Sequence, residues 1–137
     1  MSATIRPVDY FTVTVHDEPE AAYELLGQLA TSGINLLAFN AIPAGLRATQ
    51  LVLFPEDRSL LEAIAEHKRF ELIGPDRALL ILGDDELGAL ARIHRQLTAA
   101  GVHPFASSGV IDGKGGFGYV VYLRGDEFEK AARALGL

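Results

Sequence analysis

The chain of 137 residues is 49% hydrophobic and 22% charged, enough apolar side chain for a packed core, so a folded rather than an intrinsically disordered chain is expected. Its net charge of -6, with no basic run, argues against nucleic acid and anionic membranes as partners. Without cysteine there are no disulfides, thiolate metal ligands or cysteine nucleophile. With no apolar leader and no apolar run that would span a bilayer, a cytoplasmic location is expected.

The first expected element is a strand over residues 9–15 (Asp-Tyr-Phe-Thr-Val-Thr-Val), rich in β-branched and aromatic side chains. A helix follows. Asp17 is its expected N-cap, with Pro19 in the first turn and Glu20 completing a capping-box pattern. Leu25, Leu26 and Leu29 form its apolar stripe, and Gly33 suits a left-handed C-terminal cap. Strands at 35–42 and 48–54 flank a turn at 43–45 and read as a hairpin. Asp57 then caps a helix over 58–68 with Leu60, Leu61 and Ile64 inward, and 70–73 reads as a closing strand before Pro75.

The same order follows again. A strand is expected at 78–82, then a helix capped by Asp84 or Asp85, striped by Leu90, Ile93 and Leu97, and closed by Gly101. Strands at 103–111 and 119–123 are joined by a turn at 112–116. Asp126 is placed to cap a last helix over 127–135 with Phe128, Ala131, Ala132 and Leu135 on one face. Asp17 and Asp85 are 68 positions apart, as are Gly33 and Gly101, and Gln28-Leu29 matches Gln96-Leu97 at that offset. The chain therefore divides into repeated units at 1–74 and 75–137. The second unit lacks a closing strand of its own. A three-stranded sheet, the N-terminal segment, the other unit or another chain would each account for that.

Two βαββαβ units in tandem describe an α+β fold of ferredoxin-like type, with antiparallel sheets and helices on one face. The local pattern of strand, Asp85-x-x-Gly88-Ala89-Leu90, helix, and Ala-Ala-Gly101-Val102 before a strand resembles the ACT domain family. The resemblance spans nearly the whole chain as two copies. It implies a stand-alone regulatory module of amino-acid metabolism that binds an amino acid or related small molecule, acts allosterically through unit or subunit packing, and controls a partner enzyme. The first unit departs from the pattern, with Glu20 where the family often has Gly.

The 84–90 loop has the chemistry a zwitterion needs. Gly88 allows close approach to the backbone, the helix start presents free N–H groups to a carboxylate, and Asp84 or Asp85 accepts from an ammonium group. An ordinary N-cap and a packing glycine account for the same residues. The candidate ligand-binding residues are Asp84, Asp85, Glu86, Leu87, Gly88, Ala89 and Leu90. Asn35 and Asn40, the polar positions of an otherwise apolar strand, and His103, which holds the place of Asn35 in the second unit, join them. In the first unit Asp17, Glu18 and Glu20 crowd the corresponding loop with negative charge and disfavour a ligand carboxylate. The strand at 35–42 is apolar on both alternating sets, which implies a second face covered by the other unit or another protomer, and a homodimer is expected.

No catalytic residue, cofactor or metal site is indicated. The glycine-rich hairpin at 113–118 joins strand to strand, so it is not a phosphate loop, though Lys114 offers a charge there. His16, His67, His94 and His103 have no metal-ligand spacing, and no nucleophile elbow is present. His94 reads as a partly buried packing residue. An interaction module that has lost its ligand is the alternative to a ligand-binding regulator. A small ferredoxin-like enzyme ranks behind both.

Overall fold

The computed structural model describes residues 3–16 and 20–137. Ten elements follow one another: β1 (Ala3–His16), α1 (Glu20–Thr31), β2 (Leu36–Pro43), β3 (Ala48–Pro55), α2 (Arg58–Lys68), β4 (Ile73–Asp84), α3 (Ala89–Ala99), β5 (Ala106–Ile111), β6 (Gly116–Tyr122) and α4 (Gly125–Ala134). They form two compact units. One is Asp9–Asp76, and the other joins the first eight residues to Arg77–Leu137. Strands β1 and β4 therefore each run through both units.

In the Asp9–Asp76 unit the strand order is β2-β3-β1-β4. Antiparallel pairing sets Phe11 opposite Leu53 and Val13 opposite Leu51, so these four side chains share one face of the sheet. Leu25 and Leu29 of α1 and Leu61 of α2 pack on that face with Ile34. Fully burying one such leucine stabilises the unit by about 2 kcal/mol. Gly33 takes a positive φ of 80° just after α1, and the Ile34 amide donates back to the Leu29 carbonyl at 2.9 Å, as a left-handed cap requires. Asp57 caps α2, its carboxylate accepting from the Leu60 amide at 3.1 Å. The expected cap at Asp17 lies outside the described residues.

The second unit has the order β1-β4-β6-β5. Its fourth strand is the N-terminal segment. Ile5 packs against the core, and the Thr4 hydroxyl donates to the Leu82 carbonyl at 3.5 Å. Leu79 faces Val121 and Ile81 faces Tyr119 across the β4–β6 pair. Ile93 and Leu97 of α3, with Phe128, Ala131 and Leu135 of α4, close over this face. Gly101 repeats the cap of Gly33, with φ 75° and the Val102 amide donating to Leu97 at 2.9 Å.

Several local expectations need correction. Of the strand expected at 70–73 only Ile73 is in a strand: it opens β4, which runs on through Gly74 and Pro75 and takes in the strand expected at 78–82. A Cβ on Gly74 would stand 2.9 Å from the Tyr10 carbonyl oxygen, so the glycine permits a close approach where a unit boundary is expected. Strand β1 begins at Ala3 rather than residue 9. Helix α3 starts at Ala89, with Gly88 in the N-cap place at φ 85°, so neither Asp84 nor Asp85 caps it and Glu86 precedes its first turn. The register moves accordingly: Ala89 joins Ile93 and Leu97 in the core, and Leu90 turns outward at 42% exposure. Helix α4 is likewise capped at Arg124, and Asp126 lies in its first turn, where its charge favours the helix N-terminus.

Candidate functional site

Strand β4 ends at Asp84, opposite Gly116 of β6. The Asp85 amide donates to the Gly115 carbonyl at 2.8 Å and ties the strand end to the β5–β6 hairpin. The chain then passes through Glu86, Leu87 and Gly88 before α3 begins. A positive φ at Gly88 is strained for any other residue, and among the described residues no side chain caps the start of α3. The Ala89 amide donates to the Glu86 carbonyl at 3.1 Å. The amides of Leu90 and Ala91 are therefore left to whatever approaches the helix start.

This loop forms one wall of a cavity of about 680 Å³, within the size range of small-molecule sites. Residues 85–91 make that wall, residues 109–111 of β5 the other, and Phe117 and Gly118 of β6 the floor. The Glu86 carboxylate accepts from Arg92 at 2.9 Å. Val110 and Ile111 of the edge strand β5 are exposed, as is Leu87. Behind the cavity the Tyr119 ring lies under Gly109, where a Cβ would come within 2.9 Å of its Cδ1 atom. The Tyr119 hydroxyl and His94 Nε2 share a hydrogen bond, with the rings edge to face, so His94 packs as expected.

Of the residues singled out in the sequence, Asp85, Glu86, Leu87, Gly88, Ala89 and Leu90 line this one cavity. Asp84 is the last residue of β4 and not on its wall. His103 is exposed between α3 and β5, its amide donating to the Glu127 carboxylate at 3.2 Å. Asn35 and Asn40 belong to the Asp9–Asp76 unit. Asn35 donates to the Glu56 carboxylate at 3.4 Å, and Asn40 pairs with Val52 in the β2–β3 ladder. Sequence reasoning missed Ala91, Gly109, Val110, Ile111, Phe117 and Gly118. The available signal was a glycine inside a strand pattern at Gly109, which marks a close approach.

The hairpin beside the cavity is pinned. The amides of Lys114 and Gly116 donate to Asp112 Oδ1 at 2.6 and 3.0 Å. These bonds, that of Lys114 foremost, hold the Asp112 carboxyl below its usual range. The hairpin joins two strands, which agrees with its exclusion as a phosphate loop. Among the described residues no cluster of histidines and carboxylates has the arrangement of a metal site, and no helix is long and apolar enough to cross a membrane. In the other unit Asp17 and Glu18 lie outside the described residues, and Glu20 opens α1.

No protein-family model matches the sequence, and no curated protein matches it. Solved structures do match. A protein from Bacteroides thetaiotaomicron superposes with a TM-score of 0.83 at 18% identity, covering 96% of this chain and 88% of its own. The regulatory subunit of aspartate kinase from Thermus thermophilus, in its ligand-free form, gives 0.65 at 16% identity over 97% and 93% of the two chains. The chain has an ACT-like fold. Aspartate kinase from Clostridium acetobutylicum, described as an allosteric enzyme, gives 0.53 at 18% identity over 96% of this chain and 33% of that one. The ACT-like pair thus spans about a third of that enzyme's length, and in the Thermus protein a chain of similar size is a regulatory subunit.

Proposed function

We propose that this ACT-like pair is a regulatory protein of amino-acid metabolism that binds an amino acid in the cavity at the start of α3. The observation that carries the reading is the meeting there of uncapped helix amides, the Asp85 carboxylate and an apolar wall. A carboxylate suits the helix N-terminus, an ammonium group suits Asp85, and a side chain suits the apolar wall. Occupancy would favour one packing of the units or subunits over another and so alter contact with a partner enzyme in the cytoplasm. A homodimer is part of this reading. Strand β5 is exposed along its whole length, Val110 and Ile111 included, as are Phe105 just before it and Phe39 and Ile42 of β2.

A thermal-shift panel of the common amino acids, at millimolar concentration, tests the proposal. Ligand at a hundred times its dissociation constant adds about 2.7 kcal/mol, a rise of about 5 °C or more for a domain of this size. A rise with one class of amino acid supports the sensor. No rise across the panel, from a folded dimer, favours the second reading, a ligand-free interaction module whose contact surface is the exposed apolar rim of Leu87, Val110 and Ile111.

A further inference from the structure

The chemistry of the cavity wall also restricts the ligand, and this inference rests on the proposed reading of that cavity as an amino-acid site. Two carboxylates line it, Asp85 and Glu86. Glu86 is already held by Arg92 at 2.9 Å, which leaves Asp85 as the carboxylate without an ion-pair partner among the described residues. An α-ammonium group uses that one. A lysine or arginine side chain would bring a second positive charge to a wall with no second free carboxylate, so that charge would gain no ion-pair partner there.

The wall also carries no side-chain hydrogen-bond donor, because apart from the two carboxylates it is built of Ala, Gly, Leu, Val, Ile and Phe. A ligand hydroxyl, amide or carboxylate side chain would therefore find only main-chain donors, and the main-chain groups at the helix start are matched to the α-carboxylate. What remains is apolar: Leu87, Leu90, Val110 and Ile111 stand exposed around the opening, and the Phe117 ring closes the floor. Covering that surface is favourable for an apolar side chain and not for a polar one.

We infer that the ligand is an α-amino acid with an uncharged, branched or aromatic apolar side chain, and that basic, acidic and hydroxylated amino acids are discriminated against. Loss of two or more methylene groups from such a ligand lowers affinity about tenfold or more.

Titration calorimetry of the full chain with L-leucine, L-isoleucine, L-valine, L-methionine and L-phenylalanine, against L-lysine, L-threonine and L-aspartate, tests this. The expected result is binding by at least one apolar amino acid, about tenfold or more tighter than by any of the three polar ones. Equal or tighter binding of lysine, threonine or aspartate overturns the side-chain class and leaves the amino-acid reading standing. Heat from none of the eight overturns the side-chain class, and a flat thermal-shift panel of all the common amino acids overturns the amino-acid reading itself. Ile111→Glu and Val110→Glu, at exposed positions, are expected to weaken the apolar ligand about tenfold or more with an unchanged melting temperature. Unchanged affinity in both places the binding elsewhere and overturns the inference.

Discussion

Ala3 and Gly83 touch so closely that a Cβ on Gly83 would lie 3.2 Å from the Cβ of Ala3, and 2.8 Å from the ring of Phe117. The N-terminal strand thus lies against β4 where β4 has no side chain, and the same gap seats the aromatic floor of the cavity. Gly83→Val is expected to cost about 1–3 kcal/mol through overpacking. Hydrogen exchange should speed up at residues 79–81 and 117–121. An unchanged melting temperature and exchange pattern would mean that the segment does not pack on the second unit in solution.

Asp57 satisfies the free amide of Leu60 at the start of α2. Asp57→Ala should lower stability by about 1 kcal/mol, whereas Asp57→Ser should lose only a fraction of that. Asp85→Ala is the contrast, because Asp85 caps nothing. It should leave the melting temperature nearly unchanged while weakening amino-acid binding. Urea melts of the three variants, run with and without the amino acid, separate capping from binding.

Tyr119 is buried and its hydroxyl is matched to His94. Tyr119→Phe keeps the ring under Gly109 but removes the hydrogen bond, at an expected cost of about 0.5–1.5 kcal/mol in chemical denaturation. His94→Ala strands the hydroxyl instead and should cost at least as much. A Tyr119→Phe variant as stable as the parent would show that water replaces His94 as partner at no loss.

The Asp112 carboxyl, fully exposed, accepts the Lys114 and Gly116 amides, and its folded pKa lies below the ordinary 3.8. Its contribution to the hairpin is therefore complete above the unfolded value and is lost as pH falls through the folded one. In an NMR titration the carboxyl carbon of Asp112 should titrate below pH 3.8, and exchange at the Lys114 and Gly116 amides should quicken over that lower range. Titration at or above the ordinary value would mean that the turn is open in solution.

The amount of this fold that can be read from sequence differs from element to element. The 68-residue repeat, the glycines at 33 and 101 and the stripe of Leu25 and Leu29 are local signals, and the structure places Gly33 and Gly101 in matching caps. Helix starts were harder. Asp85 has the capping chemistry, yet Gly88 with its positive φ delays α3 by several residues, and that delay exchanges Leu90 for Ala89 in the core. Gly74-Pro75 has the composition of a boundary, but the small residue there admits the Tyr10 carbonyl beside a continuous strand. The closing strand of the second unit comes from residues 3–8, a pairing across most of the chain that no local pattern records. Half of the cavity was legible for the same reason. Residues 85–90 are contiguous, whereas 109–111, Phe117 and Gly118 reach it only through the β5–β6 register.

Amino-acid binding at the start of α3 can be followed residue by residue through the backbone amide resonances as L-leucine is added. Saturable shifts centred on Gly88, Leu90, Ala91, Val110 and Ile111 are expected. Shifts centred away from these residues, or none with L-leucine or any other amino acid, would contradict binding there.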